Sequence, residues 1–213
     1  MNKIKAIIFD YDGVIAESVN VKTETFAKMY KPYGNEIVVK VMKHHEANGG
    51  MSRFEKFKIY HKDFLEQEIN SLKVAELAKQ FSDIVLQKVA DSPYVEGAYN
   101  FISSNYQKYN FYISTGTPTD EIEIILEKND IRKYFKNVYG SPERKNIHVK
   151  KILKKYNLSK KEVVFVGDAL TDRDAARDNG IEFIARYTTA EEIKKEKYLI
   201  NNFSQLENIL NLL

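Results

Sequence analysis

Asp10 and Asp12 close the apolar run Ile7-Ile8-Phe9 at a spacing of two, and Gly13-Val14 follow at once. Asp is disfavoured inside strands, so a carboxylate pair at the end of such a run needs a chemical reason. In extended backbone, residues i and i+2 face the same side, so both carboxylates can serve one site. Paired carboxylates suit a divalent cation, or a nucleophile beside a general acid. A second pair, Asp168 and Asp172, follows Val163-Val164-Phe165-Val166-Gly167, and Gly167 permits a close backbone approach. Between the pairs lie Ser114-Thr115-Gly116-Thr117-Pro118, after the apolar run Phe111-Tyr112-Ile113, and Lys145 within Ser141-Pro142-Glu143-Arg144-Lys145. A hydroxyl loop before a helix can offer donors to a phosphate, and the lysine can supply positive charge. Taken singly, these are turn aspartates, a helix N-cap and a surface lysine. Their joint occurrence at successive strand ends is not explained that way.

The elements that must position these residues follow from hydrophobic periodicity. Short apolar runs bounded by polar residues read as strands buried on both faces, as in a parallel sheet covered by helices. After the run ending at Phe9, strands are predicted at 110–114, 137–140, 163–166, 183–185 and 198–200. They alternate with helices at 96–107, 119–128, 145–156, 171–178, near 189–196 and at 203–212. This alternation argues an α/β fold with a doubly wound parallel sheet, whose carboxyl edge binds ligands. From Val19 to Ala90 the period is helical instead, with candidates at 18–30, 36–47, 52–65 and 70–90. Breaks fall at Lys31-Pro32-Tyr33-Gly34 and Asn48-Gly49-Gly50. Leu72, Ala75, Leu77, Ala78, Phe81, Ile84, Val85 and Leu86 are expected to form a core stripe. Residues 1–16 and 92–213 are therefore expected to form a catalytic core, and 17–91 an all-helical insert.

Composition narrows the classes. The 213 residues are 43% hydrophobic and 30% charged, as in ordinary globular proteins. Thirty-three basic residues against 30 acidic ones leave a net +3 with the signs interleaved, a poor footprint for nucleic acid. The basic stretch Lys150-Lys151-Ile152-Leu153-Lys154-Lys155 reads as a solvated helix face. Without cysteine there is no disulfide, thiol nucleophile or thiolate metal site. No apolar stretch approaches a membrane span and no signal-peptide pattern opens the sequence, so a cytoplasmic protein is expected.

The ordered set Asp10-x-Asp12-Gly13-Val14, Thr115, Lys145 and Gly167-Asp168-x-x-x-Asp172 resembles the four motifs of the haloacid dehalogenase superfamily, across the whole inferred core. The resemblance implies a Rossmann-like core and phosphoryl-transfer chemistry. Asp10 would be the nucleophile, forming an aspartyl-phosphate, and Asp12 the general acid and then base. Magnesium would bind the carboxylates of Asp10 and Asp168 and the backbone carbonyl of Asp12. Lys145 would offset charge, Thr115 and the Gly116 N–H would hold the phosphoryl group, and Asp172 would orient Lys145 or a metal-bound water. Ser114 remains an alternative to Thr115, since adjacent strand residues point opposite ways. The family's dehalogenases lack an acid at the position of Asp12, so its presence points to phosphate esters.

The helical insert resembles the small cap of the branch that holds phosphoglycolate phosphatase-like enzymes and β-phosphoglucomutases. Gly50-x-Ser52-Arg53 resembles the cap loop by which β-phosphoglucomutases contact their sugar phosphate. Arg53 can bind an anion bidentately, and Lys22 and Lys56 are further candidates for substrate contact. The local alternative is a Gly-Gly turn, Ser52 as N-cap and Glu55 completing a capping box. Lys22 stands where a β-phosphoglucomutase typically carries histidine. Glu143-Arg144-Lys145-Asn146-Ile147-His148 replaces the mutases' Lys-Pro-x-Pro-Asp run. The expectation is a magnesium-dependent phosphatase of a small phosphorylated metabolite, either a sugar phosphate or a phosphorylated carboxylic acid. A sugar-phosphate mutase and an inactive binding or scaffold protein are the alternatives. The partner expected is that small molecule, with neither nucleic acid nor membrane, acting on a monomer or weak homodimer. His44, His45, His61 and His148 show no ligand-like arrangement, and most of them are expected at the surface or in the cap.

Overall fold

Four consecutive apolar side chains, Ala6-Ile7-Ile8-Phe9, can all be buried only in a strand covered on both faces. In the computed structural model, which describes residues 4–188 and 190–213, this strand β1 (Ala6–Phe9) is fully buried at the sheet centre. It pairs in parallel with β2 (Asn110–Pro118) on one side and β4 (Val163–Gly167) on the other. With β3 (Phe135–Ser141), β5 (Glu182–Arg186) and β6 (Leu199–Ile200) the order is β3-β2-β1-β4-β5-β6. Alternation sends Ile7 and Phe9 into one core, with Phe111, Ile113, Val164 and Val166. It sends Ala6 and Ile8 into the other, with Tyr112 and Phe165. The helices on these faces are α5 (Ala98–Asn105), α6 (Thr119–Lys128), α7 (Lys145–Lys155), α8 (Leu170–Asn179) and α9 (Leu206–Leu212). The chain builds outward from β1 through β2 and β3, then crosses back to β4 on the other side. The switch point therefore lies between β1 and β4, where open sheets bind ligands. The register Phe9↔Val166 sets Asp10 and Asp168 beside that point.

Between β1 and α5 the chain forms the helical cap: α1 (Val19–Tyr30), α2 (Asn35–Ala47), α3 (Arg53–Ile59) and α4 (Ser71–Ala90). Phe26, Tyr30, Phe57, Tyr60 and Phe81 form its buried centre, with the Phe26 and Phe81 rings 4.3 Å apart. Such aromatic pairs contribute about 0.5–1.5 kcal/mol each beyond their area burial. Asn70 caps α4 by accepting from Lys73 N at 2.9 Å. The buried line of α4 is Val74, Ala78, Phe81, Val85 and Val89. Leu72, expected in this stripe, is 78% exposed, and Ala75 is exposed too. Leu72 precedes Val74 by two residues, roughly 200° around the helix, and so faces away.

Other elements also depart from the periodicity. β2 runs on to Pro118, which pairs with Ser141 after a register shift. The helix expected over 52–65 gives way after Ile59 to a π-turn at 60–64, where Leu65 N bonds to Tyr60 O. The wider turn allows adjacent Tyr60 and His61 both to be buried. The segment near 189–196 is only a 3₁₀ turn, Ile193–Lys195, with residue 189 outside the described residues. Ile193 alone of that turn is buried, which is too little to hold a longer helix. Residues 203–205 likewise form a 3₁₀ turn ahead of α9. Among the described residues no helix is long and apolar enough to cross a membrane.

Candidate active site

Asp10 leaves β1 at the switch point, its N–H bonded to Val166 O at 3.0 Å. Its carboxylate is 4% exposed: Oδ1 accepts from Tyr11 N at 2.7 Å, and Oδ2 lies 2.8 Å from Lys145 Nζ. One oxygen each from Asp10, Asp168 and Asp172 lies within 4.8 Å of the others. Two glycines make room for this crowding. Gly13 has φ +75°, and a Cβ on it would stand 2.2 Å from Asp168 Oδ2. A Cβ on Gly167 would stand 2.3 Å from the Asp172 Cβ.

Lys145 opens α7 and donates to Asp172 Oδ1 at 2.6 Å, while Asp172 Oδ2 accepts from Ala169 N at 3.1 Å. Burial opposes the Lys145 charge, yet Asp10 and Asp172 outweigh it and push its pKa up. Burial pushes Asp172 up to about 7 against the pull of Lys145. Burial, then repulsion from Asp10 and Asp172, pushes Asp168 well above the carboxylate range. Asp172 is thus committed to Lys145 and a helix N-terminus. Asp168 has no hydrogen-bond donor or ion-pair partner among the described residues. Hard oxygen donors held together against their own repulsion, one of them bare, fit a small divalent cation such as magnesium. A bound cation would also reverse the upward shift of Asp168.

At the end of β2 the alternation separates the two hydroxyls. Ser114 Oγ lies 2.9 Å from His148 Nδ1 inside the core, whereas Thr115 and Gly116 line the cleft beside Asp10. His148 is not a surface or cap residue: it is buried in the core, and that burial drives its pKa down to about 4. Its spacing with Lys145, Val149 and Ile152 on one face of α7 carried that signal.

Asp12 has entirely different surroundings. Oδ1 accepts from Ser18 Oγ at 2.6 Å, and Oδ2 accepts from Thr117 Oγ1 at 3.1 Å and from Lys22 Nζ. Lys22 also donates to Thr117 Oγ1 at 2.7 Å. Burial would raise the Asp12 pKa, but Lys22, then the Ser18 and Thr117 hydroxyls, hold it below the usual range. Lys22, expected to contact substrate, lines the cleft and is paired with Asp12; Ser18 and Thr117 are partners that the motif pattern did not reveal. Lys22→Met is expected to cost about 1–3 kcal/mol at neutral pH, measured by urea unfolding. The folded-state pKa of Asp12 is depressed, so the pair stabilises above the unfolded value near ~3.9. That stabilisation is lost as pH falls through the folded value, so variant and wild type should converge in acid.

The cap loop rests directly on these residues. A Cβ on Gly116 would stand 2.8 Å from Gly50 O, and one on Gly50 would stand 1.9 Å from Thr171 Oγ1 and 2.9 Å from Lys145 Nζ. Ser52 caps α3 by accepting from Phe54 N at 3.3 Å, while Glu55, instead of closing a capping box, reaches Arg144 at 3.1 Å. Arg53, expected to bind substrate, lines the cleft and is also paired across to the core. Its Nη1 and Nη2 meet Oε1 and Oε2 of Glu121 on α6 at 2.9 and 2.8 Å, and Nη1 also meets Ser82 Oγ at 2.7 Å. Lys56 also lines the cleft, with Nζ 2.6 Å from His45 Nδ1. Lys145 and Ser52 line an adjoining cavity that shares Gly50, Thr115 and Gly116.

A parallel sheet with carboxylates at its switch point and a helical cap over them defines a class of enzyme core. The family model for haloacid dehalogenase-like hydrolases matches residues 7–186. The chain belongs to that family and is a hydrolase. It is 27% identical to a phosphorylated carbohydrates phosphatase of Thermotoga maritima, over 99% of this chain and 98% of that protein. A β-phosphoglucomutase structure from Clostridium difficile aligns with TM-score 0.79 at 16% identity, over 98% of each chain. A predicted phosphoglycolate phosphatase structure from Haemophilus somnus aligns with TM-score 0.76 at 19% identity, over 98% of this chain and 99% of that one.

Proposed function

We propose that the chain is a magnesium-dependent phosphatase of a small phosphorylated metabolite, a sugar phosphate or phosphorylated carboxylic acid, working through an aspartyl-phosphate on Asp10. The observation that carries this reading is two carboxylates, Asp10 and Asp12, on one cleft in opposite surroundings: Asp10 against Lys145 and bare Asp168, Asp12 among hydroxyls and Lys22. Asp12, which Lys22 and the two hydroxyls hold ionised in the free protein, must take up a proton as substrate binds. A carboxylate oxygen of Asp10 then attacks phosphorus, and the bond to the leaving oxygen breaks as Asp12 gives that oxygen the proton. Asp12 then takes a proton from water, the water oxygen bonds phosphorus, and the Asp10–phosphorus bond breaks. Lys145, Thr115 and the Gly116 N–H hold the phosphoryl oxygens. Magnesium, when bound by Asp10, Asp168 and the Asp12 carbonyl, supplies further charge stabilisation there. Residues 17–91 serve as the cap over a core of 1–16 and 92–213, and the cap reads the leaving group.

The name of the Thermotoga relative supports a phosphorylated carbohydrate as one substrate class. Hydrolysis is favoured over sugar-phosphate transfer because Lys22, at the position of the mutases' usual histidine, is bound to Asp12. The test is phosphate release from a panel of phosphorylated metabolites by metal-stripped protein. Release should appear on adding magnesium and vanish with EDTA. Magnesium-independent release, or none from any compound, would overturn the proposal.

A further inference from the structure

The charges facing the cleft are almost all spent within the protein. Lys145 lies between Asp10 and Asp172, Lys22 is on Asp12, and Arg53 is on Glu121. Lys56 differs. It is 1% exposed, its Nζ has His45 Nδ1 as hydrogen-bond partner at 2.6 Å, and no carboxylate among the described residues lies within 4.0 Å. When protonated, the amine has three donors, of which His45 takes one. His45 is itself buried, and burial, then the Lys56 charge, pushes its pKa down, so it offers Nδ1 as a neutral acceptor. Around the pair, α1 contributes Lys22 and the Phe26 ring, 5.7 Å from Nζ, and α3 contributes Arg53. Burial, then repulsion from Lys22 and Lys145, pushes the Lys56 amine well below the usual lysine range, and Asp12 opposes that shift. A buried ammonium without a counter-ion is costly, so this amine gains its charge when an anion is brought to it. This one lines the cleft that holds Asp10 and Asp12, where the leaving group of a phosphate ester must sit.

We propose that Lys56, held by His45, is a subsite for a second anionic group, a carboxylate or a second phosphate, carried on the leaving group of the substrate. The assignment rests on the phosphatase reading of the cleft and narrows its substrates to those with two anionic groups. Arg53 is the poorer anion receptor, because Glu121 neutralises its charge and Glu121 with Ser82 takes three of its five N–H donors.

The test is equilibrium binding by calorimetry to Asp10→Asn protein with magnesium, using two matched pairs of compounds. Phosphoglycerate is set against glycerol phosphate, and fructose bisphosphate against fructose monophosphate. A charge-assisted contact of this kind gives a preference of about tenfold or more for the doubly anionic member. The pair that shows it identifies carboxylate or phosphate. Lys56→Met should bring that ratio down to about one, and Lys56→Gln serves the same purpose if the methionine variant does not fold. Ratios near one in both pairs with Lys56 present, or a ratio that survives its replacement, would overturn the proposal. Phosphate release by the wild-type protein from the same four compounds is scored separately. A Lys56-dependent preference without release would refute hydrolysis and leave the subsite standing.

Discussion

Asp10→Asn is expected to abolish phosphate release, with a fall on the order of 10⁴ or more in kcat. Asparagine keeps the shape of the side chain, and its carbonyl can still accept from Lys145. It cannot form an acyl phosphate. The stability readout separates this loss from misfolding. Asp10 sits against Asp168 and Asp172, and its charge is one of the causes that push both of their carboxyls up. Removing it takes one counter-charge from Lys145, which keeps Asp172, and relieves repulsion among three carboxylates, so the variant should unfold at the same or a higher temperature than metal-free wild type. Functional carboxylates crowded at such a cost give this trade-off between stability and activity. A variant that loses Tm along with turnover would assign Asp10 a structural role instead.

What the sequence makes legible is what short-range pattern encodes. The fully apolar runs of β1 and β4 mark the buried centre of the sheet, and the carboxylates that close them mark its edge. The carboxylates, the hydroxyl loop and the lysine could be collected because they terminate elements that periodicity can locate. The partners of those residues could not be. Lys22 meets Asp12 across ten residues and Thr117 across 95, and Arg53 meets Glu121 across 68. Such pairs exist only once cap and core are packed, and a basic side chain near a cleft reads equally well as a substrate ligand or an internal counter-ion. Periodicity also fails where geometry changes without a change of pattern. The turn at 60–64 keeps apolar residues at helical spacing while widening to π, and Glu191-Glu192-Ile193-Lys194-Lys195 mimics a charged helix around one buried side chain. Ser114 and Thr115 are resolved by strand alternation together with His148, a contact 34 residues away.

Asp12→Asn is expected to lower turnover of alkyl phosphates by about 10²–10⁴, the usual worth of a positioned acid and base. Its effect should depend on the leaving group, which a merely structural role would not produce. A nitrophenyl ester leaves without a proton, so attack by Asp10 should survive the substitution. The second step still needs Asp12 to take a proton from water. The variant should therefore release a burst of nitrophenol, about one equivalent per site, and then turn over slowly as the aspartyl-phosphate accumulates. Alkyl esters should show a slow steady rate and no burst, because their first step is itself impaired. Asparagine can still accept from Ser18 Oγ at Oδ1, so the local hydrogen bonding changes at the Oδ2 position, where Lys22 loses its counter-charge and Thr117 its acceptor. Lys22→Met separates the two contributions. It removes the cation and leaves the carboxylate, so it should alter the pH dependence of turnover without producing a burst. Equal losses on nitrophenyl and alkyl esters in Asp12→Asn, with no burst, would show that Asp12 neither donates nor accepts the proton.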